Sequence, residues 1–270
     1  MSHLRYVPTE FGQIAYREDG AGDGLPLLLC QRFRGTIDDW DPAFFAPLSE
    51  HRRVIRFDSA GIGGSGGSVP PTIEAMGHVA IAFLDALQIS RADLLGWSLG
   101  GIVAQHAALQ APHRFRRVII AGSGPGGAAE GPAPHPKVRE VMAHPHNGPD
   151  DFLFLFFHDS ETSRTAGRNC LRRLAGAGQT VPPVSGPGFI GQLKAIAADT
   201  GVRERLADLA MPLLVANGVH DVMIPAFRSY LIAQSAPAAK LILYPDAGHA
   251  FLFQYADEFA SEINRFLSEV

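Results

Sequence analysis

The sequence contains little cysteine, and neither sign of charge dominates. Only two of its 270 residues are cysteines, Cys30 and Cys170, and Cys30 lies within an apolar run typical of a buried strand. A disulfide framework is therefore not expected, which favours a reducing compartment and a cytoplasmic location. Because 27 acidic residues stand against 23 basic ones, the formal net charge is only −4. This balance provides no electrostatic reason to bind nucleic acid or an anionic membrane.

Several functional motifs are also absent. Residues 1–12 contain no apolar core segment, so we expect neither a secretory signal nor a membrane span there. The glycine-rich segment from Gly61 to Gly67 lacks the lysine of a phosphate-binding loop and is interpreted as a tight turn. The histidine spacings match no metal-ligand motif. These absences leave a small neutral or mildly charged molecule as the expected partner.

Short apolar runs bounded by Gly, Pro, Asp or Ser recur along the chain and predict strands buried on both faces. These runs are Leu27–Cys30, Val54–Phe57, Leu94–Leu95, Val118–Ala121, Leu213–Ala216 and Leu241–Tyr244. Between them lie patterns that predict helices, for example Ile73–Leu87 behind a Thr72 cap and Phe251–Phe266 at the C-terminus. This alternation predicts an α/β fold with a mostly parallel sheet flanked by helices, in which functional groups lie on loops at the carboxyl ends of the strands.

One segment interrupts the alternation. Residues 128–198 contain no convincing strand and open with a passage rich in Gly, Pro and Ala. Three helices are predicted within it, at Asp151–His158, Thr162–Leu174 and Phe189–Ala198. We therefore expect an α/β core formed by residues 1–127 and 199–270, with residues 128–198 inserted as a helical cap.

A candidate nucleophile, Ser98, follows the strand that ends near Gly96. The sequence from Gly96 to Gly101 fits the pattern G-x-S-x-G between a strand and a predicted helix, Leu99–Gln110. Glycines permit a turn too tight for Cβ atoms, and the helix N-terminus directs free amides toward the serine hydroxyl. Because a serine hydroxyl is a weak nucleophile, this chemistry requires a neighbouring base oriented by a carboxylate.

Candidates for both partners follow later strands. Asp221 comes after the strand Leu213–Ala216, and His249 comes after Leu241–Tyr244. The chain order Ser, Asp, His is the order that this sheet topology produces. Asp246, three residues before His249, is the alternative carboxylate.

Taken together and in order, these motifs resemble those of the α/β-hydrolase family, in its cap-bearing serine hydrolase branch, which includes esterases, lactonases and perhydrolases. The resemblance spans essentially the whole chain. The matching features are the Asp58–Ser65 turn, the turn around Ser98, Asp221, and Gly248–Phe251. It implies an eight-stranded sheet, a Ser98–His249–Asp221 triad, hydrolysis through an acyl-enzyme, and neither a metal nor an organic cofactor.

The loop after the third strand departs from the family pattern. Many members have His-Gly there, whereas this chain has Gln31-Arg32. By position, the amide of Phe33 is expected to form half of an oxyanion hole, and the amide of Leu99 the other half. Arg32 and Arg34, beside this loop, are candidates for binding a substrate carboxylate.

Four residues are predicted to contact substrate: Trp97, Arg32, Phe156 and Phe157. For the aromatic residues a second interpretation stays open. Trp97 could pack beneath the turn, and Phe156 and Phe157 could pack the cap onto the core.

The predicted activity is hydrolysis of an apolar carboxylic ester or lactone of small to medium size. A C–C bond hydrolase acting on a ring-fission diketone, a cofactor-free perhydrolase or haloperoxidase, and a ligand receptor with an intact triad are the alternatives. Assembly into a homo-oligomer is left open.

Overall fold

The computed structural model describes residues 2–128, 131–144 and 146–269, and an eight-stranded sheet runs through its centre. The strands are β1 (Arg5–Thr9), β2 (Gly12–Asp19), β3 (Leu27–Cys30), β4 (Val54–Phe57), β5 (Ala92–Trp97), β6 (Phe115–Ala121), β7 (Leu213–Gly218) and β8 (Ala239–Tyr244). Their order in the sheet is β1-β2-β4-β3-β5-β6-β7-β8. β1 and β2 pair antiparallel, as do β2 and β4, and every other pairing is parallel. The predicted mostly parallel eight-stranded sheet is confirmed.

Six strands were identifiable as apolar runs, and β1 and β2 were not. β1 is largely exposed and contains Pro8, which a strand tolerates at a sheet edge. An edge strand of this kind buries too little apolar surface to produce a continuous hydrophobic run.

Across residues 2–128, 131–144 and 146–269 the structure contains ten α-helices. They are α1 (Pro42–Ser49), α2 (Ile73–Ala86), α3 (Leu99–Gln110), α4 (Val138–Met142), α5 (Pro149–Phe156), α6 (Glu161–Ala177), α7 (Gly186–Ala198), α8 (Ala226–Ser235), α9 (Phe251–Gln254) and α10 (Ala256–Ser268). Alternate residues of the central strands point to opposite faces. Leu28 belongs to an apolar cluster with α2 and α3, whereas Leu27 and Leu29 belong to a second cluster with α1 and α10.

The helix predictions are confirmed in part. Thr72 caps α2, since its hydroxyl accepts a hydrogen bond from the Ala75 amide at 3.1 Å. The single C-terminal helix predicted over Phe251–Phe266 is wrong, because the chain breaks at Tyr255 into α9 and α10. The Tyr255 hydroxyl donates to Pro245 O at 2.7 Å, which ties this break to the loop after β8.

Between β6 and β7 the described chain contains the helices α4 to α7 and no strand. The predicted limits of the inserted segment, 128–198, stay a prediction, and three of its residues lie outside the described ranges. In the part of the chain that the structure describes, none of the helices combines the length and the apolar character needed to cross a bilayer.

Candidate active site

Ser98 lies in the tight turn between β5 and α3. Its backbone has φ 58° and ψ −120°, a left-handed conformation that a non-glycine residue adopts only under strain of about 1–3 kcal/mol. A Cβ atom on Gly96 would collide with the Gly100 carbonyl, and one on Gly100 would collide with the Cys30 carbonyl. Glycine at these two positions therefore allows the turn to close and brings the start of α3 against the loop after β3.

His249 and Asp221 form a buried pair on the loops after β8 and β7. His249 Nδ1 lies 2.7 Å from Asp221 Oδ2, and both side chains are fully buried. Asp221 Oδ1 accepts hydrogen bonds from the amides of Met223 and Ile224, at 2.8 and 2.9 Å. These amides orient the carboxylate, and the carboxylate favours the imidazole tautomer with a proton on Nδ1.

The alternative carboxylate, Asp246, lies elsewhere. Its Oδ1 atom is 4.0 Å from His158 Nε2, and its backbone has a positive φ of 50°. The structure therefore brings Asp221 to His249.

The imidazole of His249 lies beside the serine turn. The Trp97 indole donates a hydrogen bond to His249 O at 3.1 Å, and the Ser98 amide donates to Ala121 O at 2.9 Å. A Cβ atom on the next residue, Gly122, would be 3.4 Å from His249 Nδ1. His249 Nε2 is buried and has no hydrogen-bond partner among the described residues. This nitrogen is therefore available as a proton acceptor.

The two residues whose amides are predicted to form an oxyanion hole border one cavity. Phe33, Ser98 and Leu99 line this cavity together. Within the described ranges, neither the Phe33 amide nor the Leu99 amide donates a hydrogen bond. The amide of Arg34, in contrast, donates to Gln192 Oε1 at 3.0 Å, which anchors the loop to α7. Two amides without protein acceptors suit a developing negative charge.

The cavity beside Ser98, hereafter the acyl pocket, has a volume of about 190 Å³. Its wall is mainly apolar and includes Ile73, Ile102, Met142, Ile196, Met223 and Ile224. Asp199 and Arg228 are the charged residues of its described lining. The pocket suits an apolar group with a polar feature at one end.

None of the four residues predicted to contact substrate lines the acyl pocket. Trp97 is fully buried and Phe156 nearly so, and the Phe156 ring packs against the rings of Trp97 and His249. Phe157 is also nearly buried, and its ring packs against Phe152 within the helical segment. Arg32 forms an ion pair with Asp39 at 2.7 Å and places its guanidinium over Trp97 and Phe156. The structure gives Trp97, Arg32 and Phe156 packing contacts, and substrate contact by the four residues stays a prediction.

Arg34, the second candidate for binding a substrate carboxylate, is also engaged elsewhere. Its Nη1 atom donates to Met142 O at 3.0 Å and to His144 O at 2.9 Å. These bonds join the loop after β3 to the end of α4. The pocket residues that the sequence did not reveal, among them Met142, Asp199 and Arg228, carry no motif that could have identified them.

Two buried carboxylates support the loops around the site. Asp58 accepts hydrogen bonds from the amides of Ile37 and Gly64, at 2.7 and 2.8 Å, and its burial raises its pKa to about 7. Burial also acts to raise the pKa of Asp199, but hydrogen bonds from His106 and from the amides of Gly127 and Gly201 keep that pKa below its ordinary value.

Across residues 2–128, 131–144 and 146–269, no cluster of three or more His, Cys, Asp or Glu side chains could hold a metal ion.

Comparisons with known proteins cover nearly the whole chain. A family model described as the alpha/beta hydrolase family matches residues 30–262. The pimeloyl-acyl-carrier-protein methyl ester esterase of Aliivibrio salmonicida is 27% identical over 254 residues, which is 93% of this chain and 95% of that protein.

Two solved structures are similar throughout. An alpha/beta hydrolase fold protein from Chitinophaga pinensis is 33% identical with a TM-score of 0.91, over 100% of this chain and 98% of that one. A hydrolase from Pseudomonas aeruginosa is 30% identical with a TM-score of 0.81, over 99% of both chains.

Proposed function

Since the chain belongs to the alpha/beta hydrolase family and is an enzyme with ester hydrolase activity, we propose that it cleaves carboxylic esters through an acyl-enzyme on Ser98. His249 acts as the general base, and Asp221 holds its imidazole. The observation that carries this proposal is the buried His249–Asp221 pair, 2.7 Å apart, beside the strained turn of Ser98.

The reaction begins when Ser98 Oγ attacks the ester carbonyl and His249 Nε2 accepts its proton. The imidazolium that forms is stabilised by Asp221, whose second oxygen is already held by two amides. His249 then protonates the leaving alcohol, and water repeats the sequence to release the acid. Catalytic hydrogen bonds often shorten only when substrate binds, so Nε2 needs no partner in the free enzyme.

The tetrahedral intermediate carries a negative oxygen that needs donors. The Phe33 and Leu99 amides are the proposed donors, because both residues border the acyl pocket and neither amide donates a hydrogen bond to a described residue. Each such donor contributes about 3 to 4 kcal/mol to stabilising the transition state. The Leu99 amide also lies at the positive end of α3.

The size of the acyl pocket limits the substrate. A dry apolar cavity of about 150 Å³ holds benzene, so a pocket of about 190 Å³ accommodates an acyl group somewhat larger than six carbons. The apolar wall favours a hydrocarbon chain. The name of the Aliivibrio salmonicida relative supports an ester of a carboxylic acid as the substrate class, and a lactone presents the same reacting carbonyl.

The nucleophile is tested by replacing the serine. We expect Ser98→Ala to lower kcat for p-nitrophenyl hexanoate by about 10⁶-fold, because the side chain that forms the acyl-enzyme is gone. Ser261→Ala, on the surface of α10, is the matched control and should leave kcat unchanged. A fluorophosphonate should label the wild-type protein at Ser98, as read by peptide mass spectrometry.

Wild-type turnover in Ser98→Ala, or a label on another residue, would contradict the proposal. Turnover of a ring-fission diketone well above that of any ester would instead assign the chain to C–C bond hydrolysis.

A further inference from the structure

The loop that carries the Phe33 amide has a strained backbone beside that amide, and this inference about what holds the loop rests on the proposed ester hydrolysis. Arg34 has a positive φ of 57°, which residues other than glycine rarely adopt. Such a conformation persists only where the surrounding contacts hold it. The contacts of this loop therefore decide which way the Phe33 amide points.

The two peptide groups that meet at Phe33 are both held by hydrogen bonds. The Arg32 carbonyl, which shares a peptide plane with the Phe33 amide, accepts a hydrogen bond from the Gly35 amide at 3.1 Å. In the next plane, the Phe33 carbonyl accepts from Arg32 Nη1 at 2.9 Å, and the Arg34 amide donates to Gln192 Oε1 at 3.0 Å. Because the two planes share the Cα atom of Phe33, a rotation of one changes the surroundings of the other.

Of the groups just named, Gln192 comes from the helical segment, where it lies on α7 and is only 4% exposed. Phe189, three residues earlier on α7, also contacts the loop. Its ring centroid lies 5.6 Å from that of Phe33 and 4.9 Å from the Arg34 guanidinium carbon. Residues three apart share one face of a helix, so a single face of α7 contacts the loop with both side chains.

α7 also packs closely on the segment between β4 and α2. A Cβ atom on Gly188 would lie 3.0 Å from Gly61 O, and one on Gly191 would lie 2.7 Å from Val69 Cβ. The helix therefore approaches this segment at a distance that leaves little room for larger side chains. The packing of the whole helix fixes where Gln192 lies.

We infer that Gln192 is a positioning residue, which holds the Arg34 amide and thereby directs the neighbouring Phe33 amide toward the oxyanion. The helical segment then contributes to the rate as well as to the pocket. Gln192 does not occur in the described lining of the acyl pocket, so its effect should be the same for every ester.

Replacing Gln192 by methionine removes the acceptor with little change in length, and this tests the inference. We expect Gln192→Met to lower kcat for p-nitrophenyl acetate and hexanoate alike, by about ten- to hundredfold, because a small misplacement at a catalytic site costs up to about 10²-fold. Deleting an oxyanion donor outright costs about 10²- to 10³-fold. KM should change by less than about threefold, since the lost interaction belongs to the transition state.

A transition-state analogue separates this role from general damage to the protein. When hexyl trifluoromethyl ketone reacts, Ser98 Oγ bonds to the carbonyl carbon, the carbonyl oxygen becomes an oxyanion, and the hydroxyl proton passes to His249 Nε2. The reaction product, hexanoate, forms no such adduct. In Gln192→Met the inhibition constant of the ketone should rise about ten- to hundredfold, whereas that of hexanoate should change by less than about threefold.

Three further variants control for folding and for the chemistry of the side chain. Gln192→Glu keeps an acceptor oxygen at the same distance from the backbone and should retain most of the wild-type kcat and ketone affinity. Gln192→Asn withdraws the acceptor by one methylene group and should behave like Gln192→Met, so the test does not depend on one variant folding. Gln110→Met, at a glutamine that donates to Glu74 O at 2.8 Å, should leave both quantities unchanged. Urea unfolding checks that each variant is folded.

The results separate this inference from the proposed function. Unchanged kcat and ketone affinity in Gln192→Met, equal losses of ketone and hexanoate affinity, or equal losses in Gln192→Met and Gln192→Glu would overturn the inference. Hydrolysis that still depends on Ser98 would leave the proposed function standing in each of these cases. A wild-type protein that forms no Ser98 adduct with the ketone and hydrolyses esters without Ser98 would remove both.

Discussion

The two sides of Ser98 are built in opposite ways. On one side His249, Trp97 and Phe156 pack their rings together, with centroids 5.7 to 5.8 Å apart, and all three are almost completely buried. On the other side lies the acyl pocket, whose wall includes the partly exposed Ile196. The sealed side fixes the direction of an imidazole, and the open side is left to select an acyl group.

The helical segment contributes to both sides. Phe156, at the end of α5, packs on the sealed side, where its carbonyl accepts a hydrogen bond from the Ala250 amide at 2.7 Å. Met142 of α4 and Ile196 of α7 line the open side. Changes on the sealed side should therefore alter rate or stability for every ester alike, whereas changes on the open side should alter the choice between esters.

Among changes on these two sides of Ser98, the largest expected effect lies on the sealed side. Asp221→Asn should lower kcat by about 10⁴-fold for all esters, because an amide in place of the carboxylate favours the wrong imidazole tautomer. The ratio of rates between a short and a medium acyl chain should stay constant. Stopped-flow or steady-state assays with p-nitrophenyl acetate and hexanoate measure both quantities.

Asp246→Asn is the control for this change. Asp246 lies near His158, and its positive φ is a conformation that asparagine also adopts. If Asp246→Asn were as damaging as Asp221→Asn, the assignment of the acid would have to move to Asp246.

A smaller effect is expected on the open side. Ile196→Phe enlarges a side chain in the wall of the acyl pocket, so kcat/KM for p-nitrophenyl hexanoate should fall about tenfold relative to acetate. Unfolding in urea should be little affected, because Ile196 is 37% exposed. Leu193→Phe, on the same helix but outside the pocket lining, is the control. An equal loss of selectivity in both variants would show that α7 affects the choice of ester by some route other than the wall of the acyl pocket.

The smallest expected effect is on stability, and it comes from Arg32→Ala, again on the sealed side. Loss of the guanidinium over Trp97 and Phe156, and of its ion pair with Asp39, should lower the free energy of unfolding by about 1–2 kcal/mol. Urea denaturation measures this change, with the exposed Arg91→Ala as reference. A selective rise in KM for anionic esters would restore Arg32 as a substrate contact and would break the distinction between the two sides.

The central strands and the candidate site positions could be predicted because each depends on local sequence. β3 and β4 begin and end at the residues predicted for them, since a strand buried on both faces needs an uninterrupted apolar run. The strands β1 and β2 escaped prediction because β1 lies at the sheet edge and is largely exposed, and β2, which pairs antiparallel with it, is buried only in its middle. The break at Tyr255 escaped because the helical periodicity continues through it.

Substrate contacts could not be predicted in the same way. Arg32, adjacent to the predicted oxyanion loop in sequence, turns to pack on aromatic rings, whereas Arg228, far away in sequence, lines the acyl pocket. The aromatic residues of α5 were hydrophobic enough for either a pocket or a core, and composition alone does not distinguish these two roles.

The sequence by itself determined the alternation of the central strands with helices and placed Ser98, Asp221 and His249 each in the turn or loop that follows a strand. In a parallel sheet the carboxyl ends of neighbouring strands meet at one edge, so local pattern was sufficient to bring such residues near each other. Only the tertiary structure decided which carboxylate reaches the imidazole, and which side chains of α4, α7 and α8 enclose the acyl pocket. Those contacts join segments distant in sequence, and their identity depends on how whole helices pack rather than on the period of any one of them.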